Sequence, residues 1–338
     1  LKTLRRLRDF GRDIREVGKV KKDSAVAVLK GAATYVPFLY QMLGQRHMNL
    51  ESATPEASYR VWMKHLSLLH NMTGCGVPSV VAELGPGDTL GTGVAALFSG
   101  AQRYVGIDVL PFARSGPTLE VARGLRDLFS IRARVVVKGW PDFTEYLDNA
   151  GFLSSVLTDE ILAHALAEER ASAILSELSD VVASTERSTC QFINYSAPYS
   201  NSSIPDDSID LFYSHSVLEH VENLPAALSL MHASLKSKGL MSHQFDLRSH
   251  NITRSWDGHR EFGNNSWKIV VGKRPFLLNR LSYSKVLEEI ERAGFRILDA
   301  RRLFDKPTLD RSQLCREWQS ASDEDLRTIS GFVQAQKI

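Results

Sequence analysis

Val80-Val81-Ala82-Glu83-Leu84-Gly85-Pro86-Gly87-Asp88-Thr89-Leu90-Gly91 is the stretch that decides the fold. Its first five residues are a short, mostly apolar run of the kind that makes a buried strand, and the run breaks into a glycine turn. Gly91 to Phe98 then reads as a helix, and Tyr104-Val105-Gly106-Ile107-Asp108-Val109 as the next strand. Strand, helix and strand at this spacing predict a parallel sheet with right-handed crossovers. Further strands are predicted at Gln191–Tyr195, Ile209–Ser214, Leu240–Phe245, Arg296–Leu303 and Gly331–Gln336, with a helix at Ser284–Ala293. The expected class is α/β, a Rossmann-like, mostly parallel seven-stranded sheet flanked by helices.

Upstream of this unit the pattern is helical. Thr54 and Pro55 read as the cap and first turn of a helix running to Leu69. Leu4, Leu7, Phe10, Ile14, Val17 and Val20 recur at helical spacing, and residues 1–22 carry nine Lys/Arg against three acids. That segment reads as a helix packed on the domain, with peripheral contact to an anionic membrane surface as the sharper alternative. Residues 1–75 are expected to form a helical lid and substrate segment, and 76–338 the Rossmann-like domain. About 80 residues at 110–188 separate the second and third strands, more than a crossover needs, with one long helix at Thr158–Thr185. Both segments are predicted to wall the substrate at the sheet's carboxyl edge.

Composition narrows the class further. The 338 residues are 43% apolar and 24% charged with a net charge of +2, which gives no overall pull toward nucleic acid. Cys75, Cys190 and Cys315 are odd in number and far apart, and the first residues lack the apolar core of a signal peptide. A cytoplasmic protein, with the membrane-peripheral contact noted above as its variant, is expected.

The glycine turn alone does not choose a ligand, since dinucleotide enzymes use similar turns. Its acids do. A pyrophosphate would be repelled by Glu83 and Asp88, whereas S-adenosylmethionine carries no phosphate but a sulfonium and an ammonium. Asp108, 21 positions after Gly87, stands where an acid accepts hydrogen bonds from adenosine ribose hydroxyls. S-adenosylmethionine is therefore expected across Gly85, Pro86, Gly87 and Asp88, with Glu83 behind the turn and the ribose at Asp108 and Val109.

With these residues the chain resembles the class I S-adenosylmethionine-dependent methyltransferases, except that Thr89 replaces the third glycine of the fuller motif. The resemblance runs over about residues 79–338. It implies that Ser196-Ala197 flank the adenine and that Ile209 to Val221 form the fourth strand and following helix, with Ser214 beside the cofactor. Ala293-Gly294-Phe295 matches the turn before the late strands. More narrowly, Tyr59-Arg60-Val61-Trp62-Met63-Lys64-His65-Leu66 and His243-Gln244-Phe245-Asp246 resemble bacterial methyltransferases associated with polysaccharide biosynthesis. Trp62 and Leu66 read as core, and Arg60 as a partner for the cofactor's carboxylate.

The expected chemistry is O-methylation of a sugar, glycan or other small hydroxylated molecule, so a base is needed. His243 is the first choice and His215 the second, His250 is a third histidine at the same edge, and Asp246 is placed to orient one of them. Trp256, His259, Arg260, Trp267 and Asn279 are candidate acceptor-site residues. Some methyltransferases hold a divalent ion with a Glu-His pair here and a later histidine, which would be Glu219, His220 and His243. Ser216 stands where those enzymes add a further Glu, and a metal-free site is expected. The competing functions are an NAD-dependent oxidoreductase on a related fold and a catalytically silent cofactor-binding module. Oligomeric state is not written in the sequence.

Overall fold

The computed structural model describes residues 22–35, 53–114, 116–183, 188–189, 191–200, 202–274 and 276–338. The predicted helix at Leu4–Val20, the basic segment up to Lys21 and Cys190 lie outside the described residues.

An eight-stranded sheet has the order β3-β4-β2-β1-β5-β6-β8-β7. Its strands are β1 (Val80–Leu84), β2 (Arg103–Ile107), β3 (Ser188–Thr189), β4 (Ile193–Ser196), β5 (Ile209–His215), β6 (Leu235–Asp246), β7 (Phe295–Phe304) and β8 (Thr328–Lys337). β4, β2, β1, β5 and β6 are parallel neighbours. β8 inserts between β6 and β7 and runs antiparallel to both. The two-residue β3, antiparallel to β4, is the strand that the sequence pattern did not predict. Strand order reverses at β1, which puts the ligand crevice beyond the carboxyl ends of β1 and β5.

Strand alternation divides the core into two faces. Val81, Leu211 and Tyr213 point to one face, where α2 (Pro55–Thr73), α3 (Gly91–Phe98) and α4 (Thr118–Ser130) pack with Trp62, Leu66, Phe98 and Leu125. Ala82, Leu84 and Phe212 point to the other, under α7 (Leu224–Ser234) and α9 (Tyr283–Arg292). α2 begins as predicted, with the Thr54 hydroxyl accepting from Ala57 N–H and Pro55 in the first turn, and ends one turn late at Gly74. It is buried nearly all round between the sheet and α4, with the polar Ser58, Lys64, His65 and Ser67 among its buried residues. α1 itself (Lys22–Ala33) lies against α8 (Asn264–Val271), where Ala27 joins Phe262, Trp267 and Val270.

The long helix predicted at Thr158–Thr185 is two: α5 (Asp159–Ala165) and α6 (Glu168–Ala183). Arg170 explains the break. Its guanidinium donates to Ala165 O at 2.8 Å, ending α5, and to Leu97 O and Ala101 O at 3.0 and 2.6 Å beneath α3. Those carbonyls precede β2, so α5 and the start of α6 sit at the amino end of the sheet. The lid expectation fails for them. The carboxyl edge is approached instead by α2 and by the earlier part of the insertion, where Tyr59 Oη donates to Ala133 O (2.8 Å) and Gln244 Nε2 to Trp140 O (2.8 Å).

Candidate active site

The glycine turn takes shape because two of its residues must be left-handed. Gly85 (φ +68°) and Gly87 (φ +73°) adopt a backbone that side chains resist. A Cβ on Gly85 would also stand 2.8 Å from the Val217 side chain, so the turn lies directly against the segment leaving β5. Asp108, just past β2, accepts from Gly87 N–H (3.2 Å) and Val109 N–H (2.7 Å) and fixes the turn to the second strand. Pro86 and Asp88 complete the turn with partial exposure, and Val109 is 36% exposed beside Asp108. Ser196 and Ala197 follow β4, whose carboxyl end adjoins Asp108: Asp108 N–H donates to Ser196 O at 3.0 Å. The buried Ser196 hydroxyl has no hydrogen-bond partner. These residues are brought together around one crevice.

Glu83 and Ser214 are not in it. Glu83 shares Val81's face and is buried under the turn, where Tyr104 Oη (2.8 Å) and Tyr213 Oη (3.2 Å) donate to Oε2. Burial pushes its carboxyl up to about 7, against the lowering effect of the two tyrosines. It supports the turn from below and is not presented to a ligand. Ser214 is fully buried and its hydroxyl is engaged with His243 Nδ1 at 2.7 Å.

His243 itself is the main correction. It points to the α7–α9 face with no exposed surface, and burial drives its imidazole down to about 3. A ring sealed there cannot reach an acceptor. Asp246 also serves another purpose: Arg248 Nε donates to both its oxygens at 2.9 and 3.0 Å. Burial raises the Asp246 carboxyl, but the Arg248 hydrogen bonds prevail and hold it low. It orients neither His243 nor His215; among the histidines it approaches His250, at 3.8 Å.

His215, at the end of β5, is half-buried on the α2 face and faces a residue the sequence reading passed over. Lys64 Nζ lies 3.5 Å from His215 Nδ1 and donates to Gln244 Oε1. Lys64 is only 6% exposed. Burial, with Arg60 adding repulsion, lowers its ammonium to about 7. Burial, then Lys64 and Arg60, likewise hold His215 well below the usual imidazole range. Near neutrality His215 is therefore neutral and Lys64 is poised to gain or lose a proton. The clue to Lys64 was its position within Trp62, Met63, Leu66, Leu68 and Leu69, a helix too apolar to leave a lysine in water. Arg60 is partly exposed in the same cluster and forms no ion pair with an acid among the described residues, which leaves its guanidinium able to meet a carboxylate.

The remaining aromatic and polar candidates are structural. Arg260 is stacked between Trp256 and Trp318 and donates to Leu326 O at 2.7 Å. His259 is buried beside it, and Trp267 packs in the α1–α8 cluster. Asn279 fastens the 3-10 turn Leu218–His220, donating to Leu218 O and Val221 O at 2.7 and 3.0 Å. In that turn Glu219 is buried, and burial raises its carboxyl to about 8. His220 and His250 border a cavity of about 270 Å3 with Lys30, Arg274 and Leu278.

Residues 151–242 match the family described as a methyltransferase domain, a segment that ends in β6 and lies wholly downstream of the glycine turn. Among solved structures, an S-adenosylmethionine-dependent methyltransferase from Mesorhizobium loti is 15% identical over 85% of this chain and 99% of its own, with a TM-score of 0.39. A SAM-dependent methyltransferase from Methanosarcina mazei is 10% identical over 80% and 97%, with a TM-score of 0.42. Similarity of this degree carries no inference about substrate or mechanism. No curated protein matches the chain. The methyltransferase-domain match covers β4, β5 and the start of β6, and the glycine turn and Asp108 stand at the switch point of the same sheet. No helix among the described residues is long and apolar enough to cross a membrane.

Proposed function

We propose that this enzyme methylates a hydroxyl oxygen of a sugar, glycan or other small hydroxylated molecule, with the Lys64–His215 pair as the base. The observation that carries the reading is the buried amine beside a neutral imidazole at the carboxyl edge, where the methyl group would be delivered. An alcohol must lose its proton as oxygen attacks the methyl carbon and the sulfonium leaves as a thioether. A pair holding one proton near pH 7 is matched to that task. S-adenosylmethionine would lie across Gly85–Asp88 with its ribose on Asp108, its adenine near Val109 and Ser196-Ala197, and its carboxylate toward Arg60. The basic residues 1–22 support a peripheral membrane contact, consistent with a lipid-linked glycan acceptor and a cytoplasmic site of action.

The test is S-adenosylhomocysteine release with a panel of hydroxylated acceptors, read across pH. Turnover should rise as pH increases through about 7, because the unprotonated pair is the active form. His215→Ala should lower turnover by ~10²–10⁴-fold with cofactor affinity intact. Methyl transfer to nitrogen, or an unchanged rate in both His215→Ala and Lys64→Met, would overturn the reading. Thermal shift with S-adenosylmethionine against NAD separates it from an oxidoreductase, and cofactor binding without any acceptor-dependent product would mark a silent module.

A further inference from the structure

We propose that Glu219, His220 and His250 form a binding site for one divalent transition-metal ion at the carboxyl edge of β5 and β6. Each offers one ligand atom, and these atoms lie within 4.8 Å of one another. His243, the histidine that the sequence pattern grouped with this pair, faces into the α7–α9 core and takes no part.

The donor set has a feature that points to a ligand. Glu219 is 3% exposed, and neither carboxylate oxygen has a hydrogen-bond partner. Buried carboxylates are ordinarily satisfied, because leaving one unpaired removes its hydration without replacement. The nearest cationic candidate is His250 Nε2, 3.9 Å from Oε1, too far to bond. The carboxyl group thus faces two imidazoles and, among the described residues, is hydrogen-bonded to neither. Two imidazoles and one carboxylate suit zinc, manganese or cobalt better than magnesium or calcium, which favour oxygen donors.

The donors are held in place. Asp246 Oδ2, paired with Arg248, stands 3.8 Å from the same His250 nitrogen. The 3-10 turn carrying Glu219 and His220 is held from outside, with Asn279 N–H donating to Glu219 O at 2.8 Å and its amide to Leu218 O and Val221 O. Metal–ligand bonds of ~2.0–2.2 Å require the donors to close by ~1 Å. His250 can supply that movement: it is exposed, on a turn of two left-handed residues, His250 (φ 47°) and Asn251 (φ 60°). His220 and His250 both border the 270 Å3 cavity, so an ion held here stands at its wall with room for an exchangeable ligand. The site rests on its own donors and not on the identity of the methyl acceptor.

The experiment uses the full chain without an affinity tag, stripped with chelator and free of S-adenosylmethionine. Titration with Co²⁺ should develop ligand-field absorption saturating at one equivalent, and calorimetry with Zn²⁺ should give the same stoichiometry. Glu219→Gln and His250→Ala should each weaken binding by about a hundredfold or more, whereas His164→Ala, on the exposed side of α5, should not. His250→Ala changes an exposed turn residue, so the test survives even if Glu219→Gln disturbs folding. Absence of a one-equivalent Co²⁺ signal, or equal affinity in wild type and His250→Ala, would overturn the site. Neither result bears on cofactor binding at the glycine turn, which is measured separately.

Discussion

Lys64→Met should make the protein more stable and less active, and the stability gain should vanish with rising pH. Lys64 titrates near 7 in the folded protein and near 10.4 when unfolded. Between those values the unfolded chain holds a proton that the native state has released, so native stability rises with pH across that window. Below about pH 7 the charged amine is fully desolvated, at ~4–5 kcal/mol by the linkage relation, and most of that penalty persists at neutrality. Methionine of similar length removes the penalty but leaves Gln244 Oε1 without its donor, at ~1–3 kcal/mol. The net expectation is a gain of ~2–3 kcal/mol near pH 6.5 that falls to zero or below near pH 9.5. Urea denaturation of both proteins at the two pH values reads this directly. A gap between variant and wild type that does not change with pH would refute the reasoning, because it would mean Lys64 is charged in the native state throughout.

Three other outcomes follow from the geometry. Asp108→Ala should weaken S-adenosylmethionine binding by ~2–4 kcal/mol through lost ribose hydrogen bonds, measured by calorimetry; unchanged affinity in a folded variant counts against the placement. Glu83, raised to about 7 from an ordinary value near 4.5, is protonated longer in the native state than unfolded. Stability should therefore fall by ~3 kcal/mol as pH climbs from about 4.5 to 7, and Glu83→Gln should flatten that slope in urea melts. Arg260→Met, which removes a cation stacked on Trp256 and Trp318 and its bonds to Leu326 O and Thr328 O, should lower stability by ~3–5 kcal/mol without changing cofactor affinity.

The strands and the glycine turn were legible because each depends on a local pattern. Val80–Leu84 and Gly91–Phe98 form where the apolar runs and the turn put them. The side on which a residue lands was legible only in part. Alternation along β1 pairs Glu83 with Val81 against Ala82 and Leu84, which already aims it into the sheet and away from the turn. For His243 no local pattern suffices: its fate depends on pairing with Ser214 across β5 and β6, a register that the sequence does not print. The break between α5 and α6 was hidden for a similar reason, since Arg170 ends α5 only by reaching carbonyls near residues 97–101, about seventy positions away. Lys64 was not singled out, because a helical pattern does not tell a buried lysine from a solvated one, and only the crowding around it does.

Buried ionisable groups in this molecule fall into two kinds, and the division marks the site. Glu83 is met by two tyrosine hydroxyls, and Arg260 by two backbone carbonyls and two indole faces. Their desolvation is only partly offset, since burial still shifts both, but each has partners within the fold that account for its place. Lys64 has one amide oxygen and an imidazole but, among the described residues, no acid, and neither Glu219 carboxyl oxygen has a hydrogen-bond partner. Each could be replaced by an apolar side chain of similar size with less desolvation, yet both stand at the carboxyl ends of β5 and β6. Groups held in unfavourable states are expected where chemistry or binding requires them. Stability alone would have removed these two. Their position, next to the segment that leaves β5 against Gly85, ties that penalty to the two roles proposed above: proton uptake at Lys64–His215 and cation binding at Glu219, His220 and His250.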